Sequence, residues 1–345
     1  MVMANRAGGS LNRISFLIFA FLFNQGLDSS LVAGANTIGI GDELNSSSNP
    51  LVSPRGTFSL GFFNLSYSSY LGIWYTSDIQ ARTVWVAKPN TPLRDSAVLT
   101  IDGAGILKIT SDGNTVINIS DQVGTRNVTA TLHDSGNFVL MDQTEKRILW
   151  QSFDNPTNTL LPGMKLGQNL RTLQNWSLTS WLNYNDPSSG AFTLRWEPTQ
   201  ESGQLVMYRR GEVYWKSGLS KNQSFEFMPA IFNSPRIDDY NLSYGVSNIN
   251  DEFSFTIHAH GGNSTRWVLT PNGQIRERFT TSSGDYNYSI SAKDFCYGYE
   301  SDNGCAESVV PQPECRDRNS YPESPGSWSA SSHRRHVIGM ISYYY

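Results

Sequence analysis

Cysteine is confined to the end of this chain. Cys296, Cys305 and Cys315 are its only three, so no residue before them can form a disulfide with another upstream residue. Any fold there must hold by burial and hydrogen bonding alone. Three is an odd number: one thiol is unpaired, pairs between chains or has lost its partner. Their spacing fits no zinc-ligand pattern, and no metal or cofactor is expected. Charge is also scarce. Only 16% of residues are charged and the net charge is −4, which gives no electrostatic case for nucleic acid or for a polybasic membrane surface. It also argues against long solvent-facing helices, which need Glu, Lys and Ala. Long apolar runs are missing apart from residues 14–23, a run short for a bilayer span and ended by Asn24 and Gln25. With Arg6 and Arg13 before it and Ala33-Gly34-Ala35 after it, the run reads as a secretory signal over residues 1–35, an uncleaved anchor being the alternative. No other stretch could cross a bilayer, so a soluble, extracellular product is expected.

What remains is rich in turn formers and rings: 29 Gly, 9 Trp, 16 Tyr and 17 Phe, the mixture that strands and turns use. At 345 residues there is room for about two or three domains. Short alternating runs recur after the signal: FSLGFF, YLGIWY, RTVWVAK, VLTID, ILKIT and TVINIS. A period of two puts one apolar face on a core. The last three runs are parted by Asp102-Gly103 and Asp112-Gly113-Asn114 turns and imply a meander. Trp74, Trp85 and Trp150 each sit near the end of an apolar strand and could fill a shared centre; the plainer reading is that any β core buries tryptophan.

A second β run begins at Asn175 with WSLTSW, GAFTLRW, QLVMYRR and EVYWKSG, and Pro271-Asn272-Gly273 marks a later hairpin. Its strands and tryptophans echo the first run. Two related β domains are therefore expected, 36–155 and 156–290, joined by the Asn-, Pro- and Gly-rich stretch 154–173. A Cys-containing segment, 291–318, follows, and then a Ser- and Pro-rich tail, 319–345, expected to be disordered. Asn-x-Ser/Thr sequons at Asn45, Asn64, Asn118, Asn127, Asn175, Asn222, Asn241, Asn263 and Asn287 agree with a secretory route. A chain this rich in Asn, Ser and Thr produces several of them by chance.

Residues 131–163, TLHDSGNFVLMDQTEKRILWQSFDNPTNTLLPG, read as strand-turn-strand followed by Asn-Pro and Leu-Pro-Gly turn chemistry that stops the regular element. Together with GTFSLGFF, YLGIWY and TVWVAKPNTPL, this stretch resembles the ectodomain of plant G-type lectin S-receptor-like serine/threonine kinases. The resemblance covers a bulb-type, mannose-binding lectin domain. SLTSWLNYNDPSSGAFTLRWEP and YWKSG are similar to the S-locus glycoprotein region, and CYGYESDNGCAES to the cysteine-bearing segment after it. It implies an all-β fold: a β-prism II lectin domain, then a second lectin-like β domain. It further implies recognition of an extracellular ligand (glycan, peptide or lipid-like) in defence or pollen-recognition signalling, with a full-length receptor kinase as a hetero-oligomer partner. The family continues into PAN-like, transmembrane and kinase parts. The sequence has no Gly-rich nucleotide loop, HRD-like loop or DFG, and the resemblance stops near Arg318. The chain therefore reads as a truncated or secreted ectodomain form, or an incomplete gene model, and not as an enzyme.

Lectins of this kind grip mannose with the pattern Gln-x-Asp-x-Asn-x-Val-x-Tyr, which period-two spacing would put on one strand face. Here the resemblance aligns His133, Ser135, Asn137, Val139 and Met141, of which only Asn137 and Val139 match. The preceding repeat, Ile101, Gly103, Gly105, Leu107 and Ile109, keeps none, and Asp112, Asn114 and Val116 match only in a neighbouring register. Each lost hydrogen bond is worth about 1 kcal/mol, so losing three groups weakens mannose binding by roughly two orders of magnitude. A mannose-binding lectin proper is thus the alternative reading. Weaker candidates are His258 and His260 as a metal pair, and Asp238-Asp239 or Glu300 and Asp302 as glycosidase carboxylates. The pair lacks further ligands and the acids are adjacent or scattered. Arg334-Arg335 between His333 and His336 reads as a solvated tail.

Overall fold

The structure, a computed structural model, describes residues 35–290 except 79, 81, 95, 113, 125, 200–201, 222–223, 229–239, 247–249, 258–263 and 282–283, together with 299–300 and 304–305. The signal segment, the tail, Asn222, Asn263, His258, His260, Asp238, Asp239, Asp302, Cys296 and Cys315 lie outside the described residues. Glu300 and Cys305 are placed only as strand positions.

The fold is all-β; among the described residues the one helical turn is the 3-10 segment Ser152–Asp154. The chain first lays down three short strands, β1 (Thr37–Gly39), β2 (Glu43–Asn45) and β3 (Leu51–Val52). Three groups of three follow: β4 (Phe58–Leu65), β5 (Ser68–Tyr75) and β6 (Thr83–Val86); β7 (Ala97–Ile101), β8 (Leu107–Ser111) and β9 (Asn114–Asn118); β10 (Val128–Leu132), β11 (Phe138–Asp142) and β12 (Arg147–Gln151). Each opening strand joins one group, last to first, giving sheets β3-β4-β5-β6, β2-β7-β8-β9 and β1-β10-β11-β12. This is the three-sheet plan of a β-prism. The alternation read from sequence builds it. In β7 and β10, burial alternates residue by residue, and Leu60, Leu71, Ile73, Leu99, Leu107, Ile109, Leu132, Phe138 and Leu140 are wholly shut from solvent. Each such side chain contributes about 1.5–3 kcal/mol of transfer free energy, before the entropy of ordering it is subtracted.

The plan then repeats. Opening strands β13 (Thr159–Leu160), β14 (Lys165–Asn169), β15 (Asn175–Trp176) and β16 (Leu178–Asn183) precede β17 (Asp186–Pro198), β18 (Gly203–Arg209) and β19 (Glu212–Lys216). A small hairpin of β20 (Ser220–Lys221) and β21 (Ser224–Phe225) leads to β22 (Tyr240–Val246) and β23 (Asn250–Ile257). β24 (Ser264–Leu269), β25 (Ile275–Thr281) and β26 (Gly284–Ser289) come last, before the minor pair β27 (Tyr299–Glu300) and β28 (Gly304–Cys305). The sheets are β16-β17-β18-β19, β15-β14-β23-β22 and β13-β24-β25-β26, nested as before. The core here is aromatic: Phe253 stacks on Trp196 at 5.5 Å and on Trp267 at 5.9 Å, with Phe225 edge-on at 5.6 Å.

One expectation changes, and one alternative closes in favour of the plainer reading. The stretch 154–173 is not a mere connection, because it contributes β13 and β14 to the second set of sheets. Backbone bonds to β24 and β23 capture these strands despite their turn-rich composition. The three tryptophans do not share a centre either. Trp85 and Trp150 meet edge-on at 5.8 Å. Trp74 sits half-buried on the opposite face of β5 from Ile73 and Tyr75, across Gly61, because period two sends it there.

Candidate functional site

The hairpin between β10 and β11 carries the residues that the resemblance aligns with a degenerate sugar site. β11 begins only at Phe138, so His133 and Ser135 lie in the turn and not on a strand face. Turn chemistry forces this. The His133 N–H donates to the Asn137 carbonyl at 2.9 Å and the Gly136 N–H to the His133 carbonyl at 2.9 Å. Gly136 has φ +84°, and a Cβ there would stand 2.8 Å from Leu161 Cδ1 and 2.9 Å from the Phe58 ring. Only Asn137, Val139 and Met141 keep a common face, and Val139 is buried in it while Met141 is half-buried.

Asn137 is fully engaged inside the protein. Its Oδ1 accepts from Ser152 Oγ at 3.1 Å and from the Phe153 N–H at 3.2 Å. Its Nδ2 donates to Gln151 Oε1 at 2.8 Å, and Gln151 Nε2 donates on to Asp154 Oδ2 at 2.8 Å. Ser152 Oγ also accepts from the Phe138 N–H at 2.9 Å. One network thus ties LHDSGNFVL to WQSFDNP. The neighbouring Asp134 is engaged too, accepting the Arg55 N–H at 2.8 Å. His133 and Ser135 are exposed.

The other repeat is no better furnished. Asp102 Oδ1 accepts from the N–H groups of Ala104 and Ile106, both at 3.0 Å, and Lys108 Nζ lies 3.1 Å from Oδ2. Burial alone would raise the Asp102 pKa, but these contacts outweigh it and hold the carboxyl below its usual value. Asp112 sits in a turn at φ +51° and Val116 is 45% exposed on β9. Among the sequons, Asn64, Asn118, Asn127, Asn175, Asn241 and Asn287 are exposed and Asn45 is half-buried.

Two unspent polar groups belong to residues that line a cleft of about 310 Å³ between the two sets of sheets. Trp85, Trp150 and Trp181 supply ring surface, and Thr157, Asn175 and Ser189 polar edges. The walls are fixed: Trp85 Nε1 donates to the Asn155 carbonyl at 2.8 Å, and Asn90 and Ser189 bond reciprocally at 3.0 and 2.7 Å. Thr157 is only 8% exposed, yet its Oγ1 has no partner, and neither does the buried Nε1 of Trp181. Ring faces beside unpaired donors and acceptors suit a polar ring-shaped ligand. Sequence reading missed this cleft because its residues come from four separate stretches.

A three-sheet β fold carrying this hairpin defines the class: a bulb-type lectin fold. The D-mannose binding lectin family matches residues 82–182. One G-type lectin S-receptor-like serine/threonine-protein kinase of Arabidopsis thaliana is 46% identical over 49% of this chain and 22% of its own length. A second is 33% identical over 69% of this chain and 28% of its own. An S-locus-specific glycoprotein of Brassica oleracea var. alboglabra is 33% identical over 79% of this chain and 60% of its own length. The chain belongs to the G-type lectin S-receptor-like kinase ectodomain family. It spans less than two thirds of the length of each of these relatives. Among solved structures, a monomeric monocot mannose-binding lectin from Gastrodia elata aligns at 20% identity over 34% of this chain and 96% of its own, with a TM-score of 0.28. Among the described residues no helix is long and apolar enough to cross a membrane.

Proposed function

We propose that this chain is an extracellular, non-catalytic recognition module of the S-domain receptor kinase type. It has a lectin domain over 36–155 and an S-locus-type β domain over 156–290. Its ligand is a glycan other than simple mannose, held in the Trp85–Trp150–Trp181 cleft, and a full-length receptor kinase is its partner in signalling. The observation that carries the reading is the state of Asn137. Its amide atoms are committed to Gln151, Ser152 and Phe153, while the cleft keeps Thr157 Oγ1 and Trp181 Nε1 unpaired. A hydroxyl-rich ring would satisfy both and stack on indole.

A glycan array followed by calorimetry tests this. Mannosides give no saturable binding, and the glycan that does bind loses about five- to tenfold in affinity in Thr157→Val, the worth of one hydrogen bond. Saturable mannose binding that is unchanged in Thr157→Val and lost in Val139→Asp would instead establish a mannose lectin using the hairpin.

A further inference from the structure

Trp181 also lines a second cavity of about 310 Å³, and its chemistry differs. Asp78, from the loop after β5, is 3% exposed at its side chain and is shared by two arginines. Arg82 Nε lies 2.8 Å from Asp78 Oδ2 and 3.2 Å from Oδ1. Arg266 Nη2, arriving on β24, lies 3.1 Å from the same Oδ2, and its guanidinium sits 5.2 Å from the centre of the Tyr75 ring. Arg278 stands opposite Arg266 in the β24–β25 register and lines the same cavity.

After these contacts Arg266 Nη1, Arg278 Nε and Thr83 Oγ1 are buried with no hydrogen-bond partner. Arg266 as a whole is 2% exposed. Burial first, then the neighbouring Arg266 and Arg82 charges, pull the Arg278 guanidinium below its usual pKa; burial does the same to Arg266 against the pull of Tyr75 and Asp78. Arginine nonetheless stays charged in proteins. Among the described residues Asp78 is shared by Arg82 and Arg266, while Arg266 Nη1 and Arg278 Nε keep no acceptor, and a buried unpaired charge is a strongly unfavourable arrangement unless an anion completes it.

We propose that this cavity binds a small organic carboxylate, its oxygens taken by Arg266 and Arg278 and its body lying on the apolar wall. A carboxylate accepts in the plane of a guanidinium, which makes arginine pairs selective for it. Phe63, Leu65, Val268 and Pro271 supply the wall, and they favour a ligand with an aliphatic or ring body over a bare inorganic ion. Both a uronic-acid sugar and a medium-chain aliphatic acid carry that chemistry. The site shares the Trp181 wall with the neutral-glycan cleft but uses different binding groups, and it does not depend on that cleft's ligand.

The test is calorimetry and tryptophan fluorescence on the whole chain, titrated with a galacturonic acid disaccharide, decanoate, the methyl ester of each, and sulfate. At least one acid saturates, its ester binds tenfold or more weakly, and affinity falls with added salt. Binding by the uronide alone or by decanoate alone supports the site and identifies its source. Arg278→Gln, which spares the Asp78 clamp, weakens the acid tenfold or more while Thr157→Val leaves it unchanged. Should Arg278→Gln fail to fold, the acid-to-ester ratio on the unaltered chain decides by itself. No binding of either acid, saturation by sulfate alone, or equal affinity for acid and ester overturns the proposal.

Discussion

Residues 37–151 and residues 159–289 arrange three four-stranded sheets in the same nested order, yet they fill them differently. The first set closes over aliphatic side chains such as Leu60, Ile73, Leu99 and Ile109, all fully buried. The second closes over rings, and both sets hide charge: Asp142 is 0% exposed in the first, Arg266 2% and Glu277 1% in the second. Nor is the second set self-sufficient. Its Arg266 needs Asp78 of the first set, and its Thr265 carbonyl accepts the Tyr75 hydroxyl at 2.9 Å. One topology thus tolerates two core chemistries. The polar specificity lies at the seam, where both sets contribute.

Breaking the seam has the largest expected effect. Asp78→Ala leaves Arg266 buried without its carboxylate and destabilises the protein by about 3–5 kcal/mol in chemical denaturation. A comparable loss, about 3–5 kcal/mol, is expected for Phe253→Ala, which empties the ring stack of the second core. If the two sets unfolded independently, Phe253→Ala would split the denaturation curve into two steps. The shared Asp78–Arg266 contact predicts a single displaced transition. Asn137→Ala is milder, about 1–3 kcal/mol, because it strands the Ser152 hydroxyl and the Phe153 N–H. It lowers stability without altering any glycan affinity, which separates a structural Asn137 from a sugar ligand.

The smallest effects lie at the pH extremes, one in each set of sheets. The Asp102 carboxyl is held below its ordinary value of 3.8, so its stabilisation is present above that value and is lost as pH falls below it. The Tyr208 hydroxyl donates to the Glu197 carboxylate; that bond first, and burial second, push its pKa up to about 12 from 10.0. The Tyr208 contribution is therefore full below pH 10 and disappears as pH rises towards 12. Stability curves across pH should flatten slightly on the acid side in Asp102→Asn and on the alkaline side in Tyr208→Phe, each without touching the other.

Much of the fold was legible because alternation is local. FSLGFF, YLGIWY, VLTID and ILKIT became β4, β5, β7 and β8, and Pro271-Asn272-Gly273 became the β24–β25 turn. The stretch 154–173 misled because Asn, Pro and Gly mark turns, while β13 and β14 are held by partners about a hundred residues away in β24 and β23. The degeneracy of the mannose pattern was readable as missing residue types, but the commitment of Asn137 to Gln151 and Ser152 was not. One signal for the anion cavity went unused: Arg266 stands directly before the apolar run Trp267-Val268-Leu269 within one strand, STRWVL.

The sequence by itself determined an all-β chain of repeating short strands, its family, and a sugar motif stripped of most of its ligands. These are properties of residue type and spacing, which period two and turn chemistry turn directly into backbone. Tertiary structure alone decided which polar groups are spent and which are left over. Thr157 and Trp181, and likewise Arg266 and Arg278, differ from their neighbours only in what the folded chain failed to place beside them. That depends on contacts between distant strands, which no local pattern encodes.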